Sequence, residues 1–254
     1  MYWVDVMLEI KNLTVSVLDK IILKDFNLSI NKNEIHTLMG LNGSGKSTIC
    51  KVLMGDNNYK VESGSIFYKD IDLLKLDTVE RARLGIFLVN RNPMELEGVK
   101  NSEMLKVALE AKTGRHYNIF EFSKIMNNVC EKLNIDKSFI HRNINEGMSG
   151  GEKKKNELMH LWVLEPDFII LDEIDSGVDI DNLNIISESL LEYFNTHSCS
   201  MLIVTHHTNI LEKLRPNYVH ILSDGKITEN GDYSLAEKIE KNGFNKANKV
   251  SENK

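Results

Sequence analysis

Cysteine and proline are both scarce in this chain, with three of each in 254 residues. Cys50, Cys130 and Cys199 stand far apart and form no CxxC pair. That excludes a disulfide framework, and it excludes a cysteine-built metal or cluster site made from this chain alone. They read as small buried hydrophobes in a reducing compartment. Pro93, Pro166 and Pro216 are isolated, and no Pro/Gly/Ser-rich stretch or internal repeat divides the sequence. No apolar run reaches the ~18–20 residues that cross a bilayer, so no membrane helix is expected. The opening MYWVDVMLEI runs directly into a strand pattern, without a basic segment ahead of an apolar one, so neither a secretory signal nor a transit peptide is expected. A basic excess is missing too. The formal charge is −6 with signs interspersed, which argues against a dedicated nucleic-acid binder.

What is present is an ordinary globular composition, 42% hydrophobic, enough for one large α/β domain or a core with an inserted subdomain. Asn, Lys and Ile are frequent, a bias of AT-rich coding. Period-two alternation marks Met7–Val17 and Ile21–Ile30 as antiparallel strands. A short apolar strand, Glu34–Met39, ends at Gly40, and a helix, Lys46–Met54, follows and closes at Gly55. Gly64–Tyr68 and Gly85–Val89 read as strands. From Asn101 to Leu164 the pattern turns helical, most clearly in Phe120–Leu133 and Gly150–Leu164. Phe168–Leu171 and Met201–Val204 are short apolar runs on either side of a helix at Ile180–Phe194, the mark of a buried parallel sheet. Tyr218–Leu222 and Lys226–Thr228 make a hairpin around Asp224-Gly225. The expected organisation is a single domain over 1–254, with a core of 1–90 and 165–243 and a helical subdomain at about 91–164. A mobile polar tail follows at 244–254.

Three motifs carry chemistry. The first is Gly40-Leu41-Asn42-Gly43-Ser44-Gly45-Lys46-Ser47-Thr48, a GxxxxGK[ST] run between a strand and a helix. Its glycines let successive N–H groups turn inward around phosphate oxygens at a helix N-terminus. Lys46 then reaches the β- and γ-phosphates of ATP, and Ser47 offers a hydroxyl to Mg²⁺. The second is Phe168-Ile-Ile-Leu-Asp172-Glu173, an apolar strand ending in two carboxylates where open α/β sheets bind ligands. Asp172 is the direct or indirect partner of Mg²⁺, and Glu173 is free to orient the attacking water and take its proton. The third, Met148-Ser149-Gly150-Gly151-Glu152, opens a helix and makes a second anion cradle. One nucleotide does not need two cradles, whereas two chains facing head to tail use both.

In this order the motifs resemble the ATP-binding-cassette family over nearly the whole chain. The resemblance implies a P-loop α/β core with an antiparallel β subdomain and an inserted helical subdomain. Ser149-Gly150-Gly151 matches the family's signature loop, acting in trans, and Ser176-Gly-Val-Asp179 resembles its D-loop. Thr205-His206 resembles its switch histidine, making His206 the contact to the γ-phosphate, while His207 is left as structural. Ser149-Gly-Gly-Glu-Lys-Lys-Lys-Asn156, Leu164-Glu-Pro-Asp, Leu171-Asp-Glu-Ile-Asp-Ser-Gly-Val-Asp-Ile-Asp181 and Pro93-Met-Glu-Leu-Glu-Gly-Val99 narrow the likeness to the SufC branch, ATPase subunits of the SUF iron–sulfur cluster machinery. That branch implies ATP-dependent pairing, SufB and SufD as scaffold partners, no membrane domain, and low activity without partners. It also implies Lys154 as the resting partner of Glu173. A plastid or apicoplast stroma is favoured, with a bacterial cytoplasm as the alternative.

Two positions depart from the family pattern. Arg91 stands where the Q-loop glutamine belongs, and a guanidinium cannot offer a carbonyl oxygen to Mg²⁺. Either Asn90 or Asn92 takes that role, or hydrolysis is weakly coupled to metal sensing. Val17 stands where many cassettes carry an aromatic for adenine, so looser base selection is expected. Two other functions are weighed against cluster assembly: the nucleotide-binding subunit of a membrane ABC transporter, and a module that binds ATP and hydrolyses little.

Overall fold

The computed structural model describes residues 5–244. The expected mobile tail, Phe244 apart, lies outside the described residues. Two long strands, Val6–Val17 and Lys20–Asn31, pair antiparallel across a two-residue turn. Its central residues Leu18 and Asp19 both have left-handed backbones (φ 47° and 61°), the geometry that matches strand twist. Lys60–Tyr68 and Ile71–Asp72 extend the pair to a four-stranded sheet.

The larger sheet has six strands in the spatial order Lys226–Gly231, Tyr218–Ser223, Ile35–Met39, Ser200–Thr205, Phe168–Asp172, Ile86–Val89. All run parallel except the edge strand Lys226–Gly231. Strand alternation divides the core in two. Phe168, Ile170, Leu202 and Val204 pack toward the four-stranded sheet and the helix Lys46–Met54. Ile169, Leu171, Met201 and Ile203 pack toward the helices Ile180–Thr196, Gly150–Leu164 and Ile119–Lys132. Burial on both faces is the reason these strands read as unbroken apolar runs.

Register fixes where the functional edge falls. Thr205 lies opposite Met39, Val204 opposite Asp172, and Leu171 opposite Val89. The residues that follow, Gly40, Glu173, His206 and Asn90, are thereby delivered to one edge of the sheet.

The segment expected to be helical from Asn101 to Leu164 is interrupted. Asn143–Ile144 is extended and pairs with Leu96–Lys100 as a small ribbon. All five residues of Leu96–Lys100 are exposed, so the strand leaves no alternation to read. The short helices Thr78–Arg83, Asn209–Leu214 and Tyr233–Asn242 were not anticipated either.

Candidate functional site

The P-loop turns sharply because glycines accept what other residues resist. Gly43 and Gly45 have φ of 85° and 110°. A Cβ on Gly40 would lie 2.4 Å from the Leu222 carbonyl oxygen, so the loop passes too close to the neighbouring strand for any side chain. Lys46, nearly fully buried, donates to the carbonyls of Gly40 (2.7 Å) and Leu41 (3.0 Å). Burial, the largest influence, holds its ammonium below the ordinary lysine range, while the charges of Glu173 and Asp172 oppose that shift. Gly43, Gly45, Lys46, Ser47 and Thr48 line an open cleft of about 550 Å³, together with Asn42, Val17, Ile22, Tyr59, Arg91 and Glu173. Leu41 and Ser44 line a smaller hollow behind the loop.

At the far side of the P-loop, Ser47 Oγ donates to Asp172 Oδ1 at 2.9 Å. Burial pushes the Asp172 carboxyl above its usual range; the Ser47 hydroxyl pulls it back and the Glu173 charge pushes it up again. A hydroxyl and a carboxylate joined in this way form an all-oxygen donor pair suited to Mg²⁺. Ser44 Oγ, Glu173 Oε2 and His206 Nδ1 are buried without hydrogen-bond partners, as expected of groups that wait for a phosphate or a water. The residues therefore fit MgATP.

Glu173 sits just past its strand with a left-handed backbone (φ 46°), pinned by its N–H to the Val204 carbonyl at 2.8 Å. Its side chain is only 4% exposed and faces three basic groups. Arg91 Nη1 lies 2.8 Å from Oε2, while Lys46 Nζ and His206 Nδ1 lie 3.7 and 3.5 Å from Oε1. The Arg91 contact is ionic without hydrogen-bond alignment, which is why Oε2 still lacks a donor. Next to it, Thr205 Oγ1 donates to Asp175 Oδ2 at 2.7 Å and ties two strand ends together.

Lys154 is not the partner of Glu173. Its ammonium donates to the main-chain carbonyls of Asn90 (2.6 Å) and Arg91 (2.7 Å), and Arg91 occupies the carboxylate instead. The physical reason is reach: Lys154 is buried against the turn that carries Arg91, whose long, half-exposed side chain spans the remaining gap. Asn90, one candidate to replace the missing glutamine, has its Oδ1 engaged by Lys51 Nζ at 3.0 Å.

The signature loop is built as a helix start. Ser149 caps Gly150–Leu164 by accepting from the Glu152 N–H, and Glu152 accepts from the Ser149 N–H at 2.8 Å. A Cβ on Gly151 would meet Asn182 Nδ2 at 2.8 Å, and one on Gly150 would meet the Gly177 carbonyl at 3.3 Å. The two glycines thus let this helix press against the segment holding Asp179. Asp179 itself is exposed and caps Ile180–Thr196, accepting from the N–H and side-chain amide of Asn182, bonds that hold its carboxyl below the usual range.

Tyr59 and Ile22 belong to the cleft and were missed from sequence. Ile22 lies in the unalternating run Ile21-Ile22-Leu23 of the second strand and Tyr59 in the turn after the P-loop helix, so neither left a periodic signal.

The sequence model described as "ABC transporter" matches residues 23–176. The iron–sulfur cluster assembly protein SufC of Plasmodium falciparum is 44% identical, over 94% of this chain and 70% of its own length. The probable ATP-dependent transporter ycf16 of Trieres chinensis is 42% identical, over 93% of this chain and 96% of its own. Among solved structures, a dimeric bacterial ABC transporter cassette superposes with a TM-score of 0.75 over 89% of this chain and 98% of that one. At 22% identity that likeness concerns the fold alone. With P-loop and paired carboxylates at one sheet edge, a signature helix that starts against Gly177 and Asn182, and these relatives across nearly its full length, the chain belongs to the ABC transporter ATPase family, among its SufC-type members.

Proposed function

We propose that this chain is the ATP-hydrolysing subunit of an iron–sulfur cluster assembly complex. In this reading two copies close head to tail on two ATP molecules and drive a conformational change in a SufB/SufD-type scaffold. One observation carries the pairing. Ser149 and Gly150 are exposed at the start of a 15-residue helix, and none of Met148–Glu152 lines the cleft of the chain's own P-loop. That helix N-terminus is an anion cradle left for a second copy's nucleotide. The choice of scaffold rests on the likeness to SufC and on the Leu171–Asp181 run.

On ATP binding, Lys46 gives up the carbonyls of Gly40 and Leu41 for the β- and γ-phosphate oxygens, while the N–H groups of Gly43–Thr48 cradle the phosphates. Ser47 and Asp172 would hold Mg²⁺, which when bound neutralises charge on those phosphates. Glu173 orients the attacking water and accepts its proton, provided Arg91 has left its carboxylate. His206 contacts the γ-phosphate, and Asp179 acts across the pair. For compartment we propose a plastid-type stroma, an apicoplast included, supported by the coding bias and the Plasmodium relative. A relative in Synechocystis supports a bacterial cytoplasm instead.

A second reading, the ATPase of a membrane transporter, is favoured by the name of the Trieres relative. No helix among the described residues is long and apolar enough to cross a membrane, so that reading needs a separate permease. The test is MgATP turnover by the purified chain, alone and with a SufB/SufD-type scaffold. The cluster-assembly reading predicts a several-fold rise in kcat with the scaffold. ATP bound with no change in rate would favour the transporter reading.

A further inference from the structure

Lys154 is the fifth residue of the signature helix Gly150–Leu164 and is only 4% exposed. Among the described residues it forms no ion pair with a carboxylate. Its ammonium makes two short bonds to the carbonyls of Asn90 and Arg91, while Glu157, Asp172 and Asp175 favour its charge from longer range. Charge-assisted bonds of this kind are strong, and a buried ammonium that loses them gives up its nearest partners. The same turn is stapled a second time. Asn145 Nδ2 donates to the Met94 carbonyl (2.9 Å) and to Glu157 Oε1 (3.3 Å), and Asn145 Oδ1 accepts from Asn156 Nδ2 (3.0 Å). Glu157 and Asn156 both lie on the signature helix. The segment 90–94 is therefore bonded to that helix at Asn90 and Arg91 and, through Asn145, at Met94.

An arginine that is 47% exposed would by itself hold a carboxylate weakly. Fixing its backbone removes much of the freedom that weakens such pairs. We propose that Lys154 is a positioning residue that transmits the place of the signature helix to the Asn90–Arg91 turn, keeping Arg91 on Glu173 until that helix moves. In a closing pair the helix moves when its N-terminus engages the partner's nucleotide, so hydrolysis in one site is released by ATP in the other. This extends the paired-ATPase reading and rests on it.

Two measurements separate the proposal from that reading. The first is amide hydrogen exchange of the nucleotide-free chain, read on peptides covering 88–94. Lys154→Met should speed exchange there several-fold, and Lys154→Arg, which keeps the charge, should restore protection; unchanged exchange in Lys154→Met overturns the clamp. The second is a kinetic cycle with Arg91→Gln. Lys154→Met should raise kcat by about threefold in the wild-type background, with KM for ATP unchanged, and should add nothing once Arg91 is Gln. The same factor in both backgrounds, or a fall in kcat, overturns action through Arg91. Should Lys154→Met fail to fold by circular dichroism, Lys154→Gln carries the same comparison. A wild-type chain that neither binds nor hydrolyses ATP would defeat the ATPase reading, while the exchange measurement would still decide the clamp.

Discussion

Glu173→Gln is expected to keep ATP bound and to lower kcat by about 10²-fold or more, the range for loss of a positioned general base. The amide fills the same space but cannot take a proton from water. Glu173 is 4% exposed and is ringed by Lys46, His206 and Arg91. Removing its negative charge leaves those groups free for phosphate oxygens, so nucleotide affinity should hold or rise. Chemistry then stalls after the two cradles have engaged, and the variant should accumulate as a pair of chains on MgATP. Light scattering at saturating MgATP reads the mass directly, and single-turnover hydrolysis reads the chemical step. Turnover near the wild-type rate would remove Glu173 from the base role. A variant that binds ATP but stays monomeric would remove the head-to-tail site.

Arg91→Gln is expected to act in the opposite direction, raising basal kcat by about three- to tenfold, a barrier change of roughly 0.7–1.4 kcal/mol. The gain is small because the guanidinium is about half exposed and solvent screens the pair. Gln changes two things at once, since it frees Glu173 and restores a carbonyl oxygen that Mg²⁺ can use. Arg91→Met removes the charge without adding the oxygen, so the two effects separate. Release of Glu173 predicts a gain in both variants, whereas a changed Mg²⁺ dependence is expected in Arg91→Gln alone. Added salt should stimulate the wild type more than either variant, because it screens the same contact. Equal turnover in wild type and both variants would mean that Arg91 leaves Glu173 unaided and damps nothing.

How far the sequence revealed this site depends on whether a feature is local. The P-loop, Asp172-Glu173 and Ser149-Gly-Gly are contiguous strings whose geometry follows from glycine freedom, a strand end or a helix start, and each was legible in advance. The two-faced burial of Phe168–Asp172 and Ser200–Thr205 was legible as well, from apolar runs without alternation. What was not legible is which distant cation meets which carboxylate. Family position pairs Lys154 with Glu173, whereas Arg91, marked only as a departure at the glutamine position, is the cation that meets it. The deciding facts are the depth of Lys154 beneath the 90–94 turn and the length of the arginine side chain, and both belong to packing. The ribbon of Leu96–Lys100 with Asn143–Ile144 escaped for a related reason, since a fully exposed strand carries no burial period. The helix Thr78–Arg83 did leave a local sign. Asp77 and Glu80 form a capping box, a pattern recognisable from spacing alone.

A complete site made by two chains is tested most directly by wild-type ATP turnover per chain over a wide dilution series at saturating MgATP. A composite site predicts that specific activity falls as the protein is diluted, in step with the loss of the paired species by scattering. Specific activity that stays constant into the range where only monomer scatters would contradict it, because each chain would then be hydrolysing ATP alone.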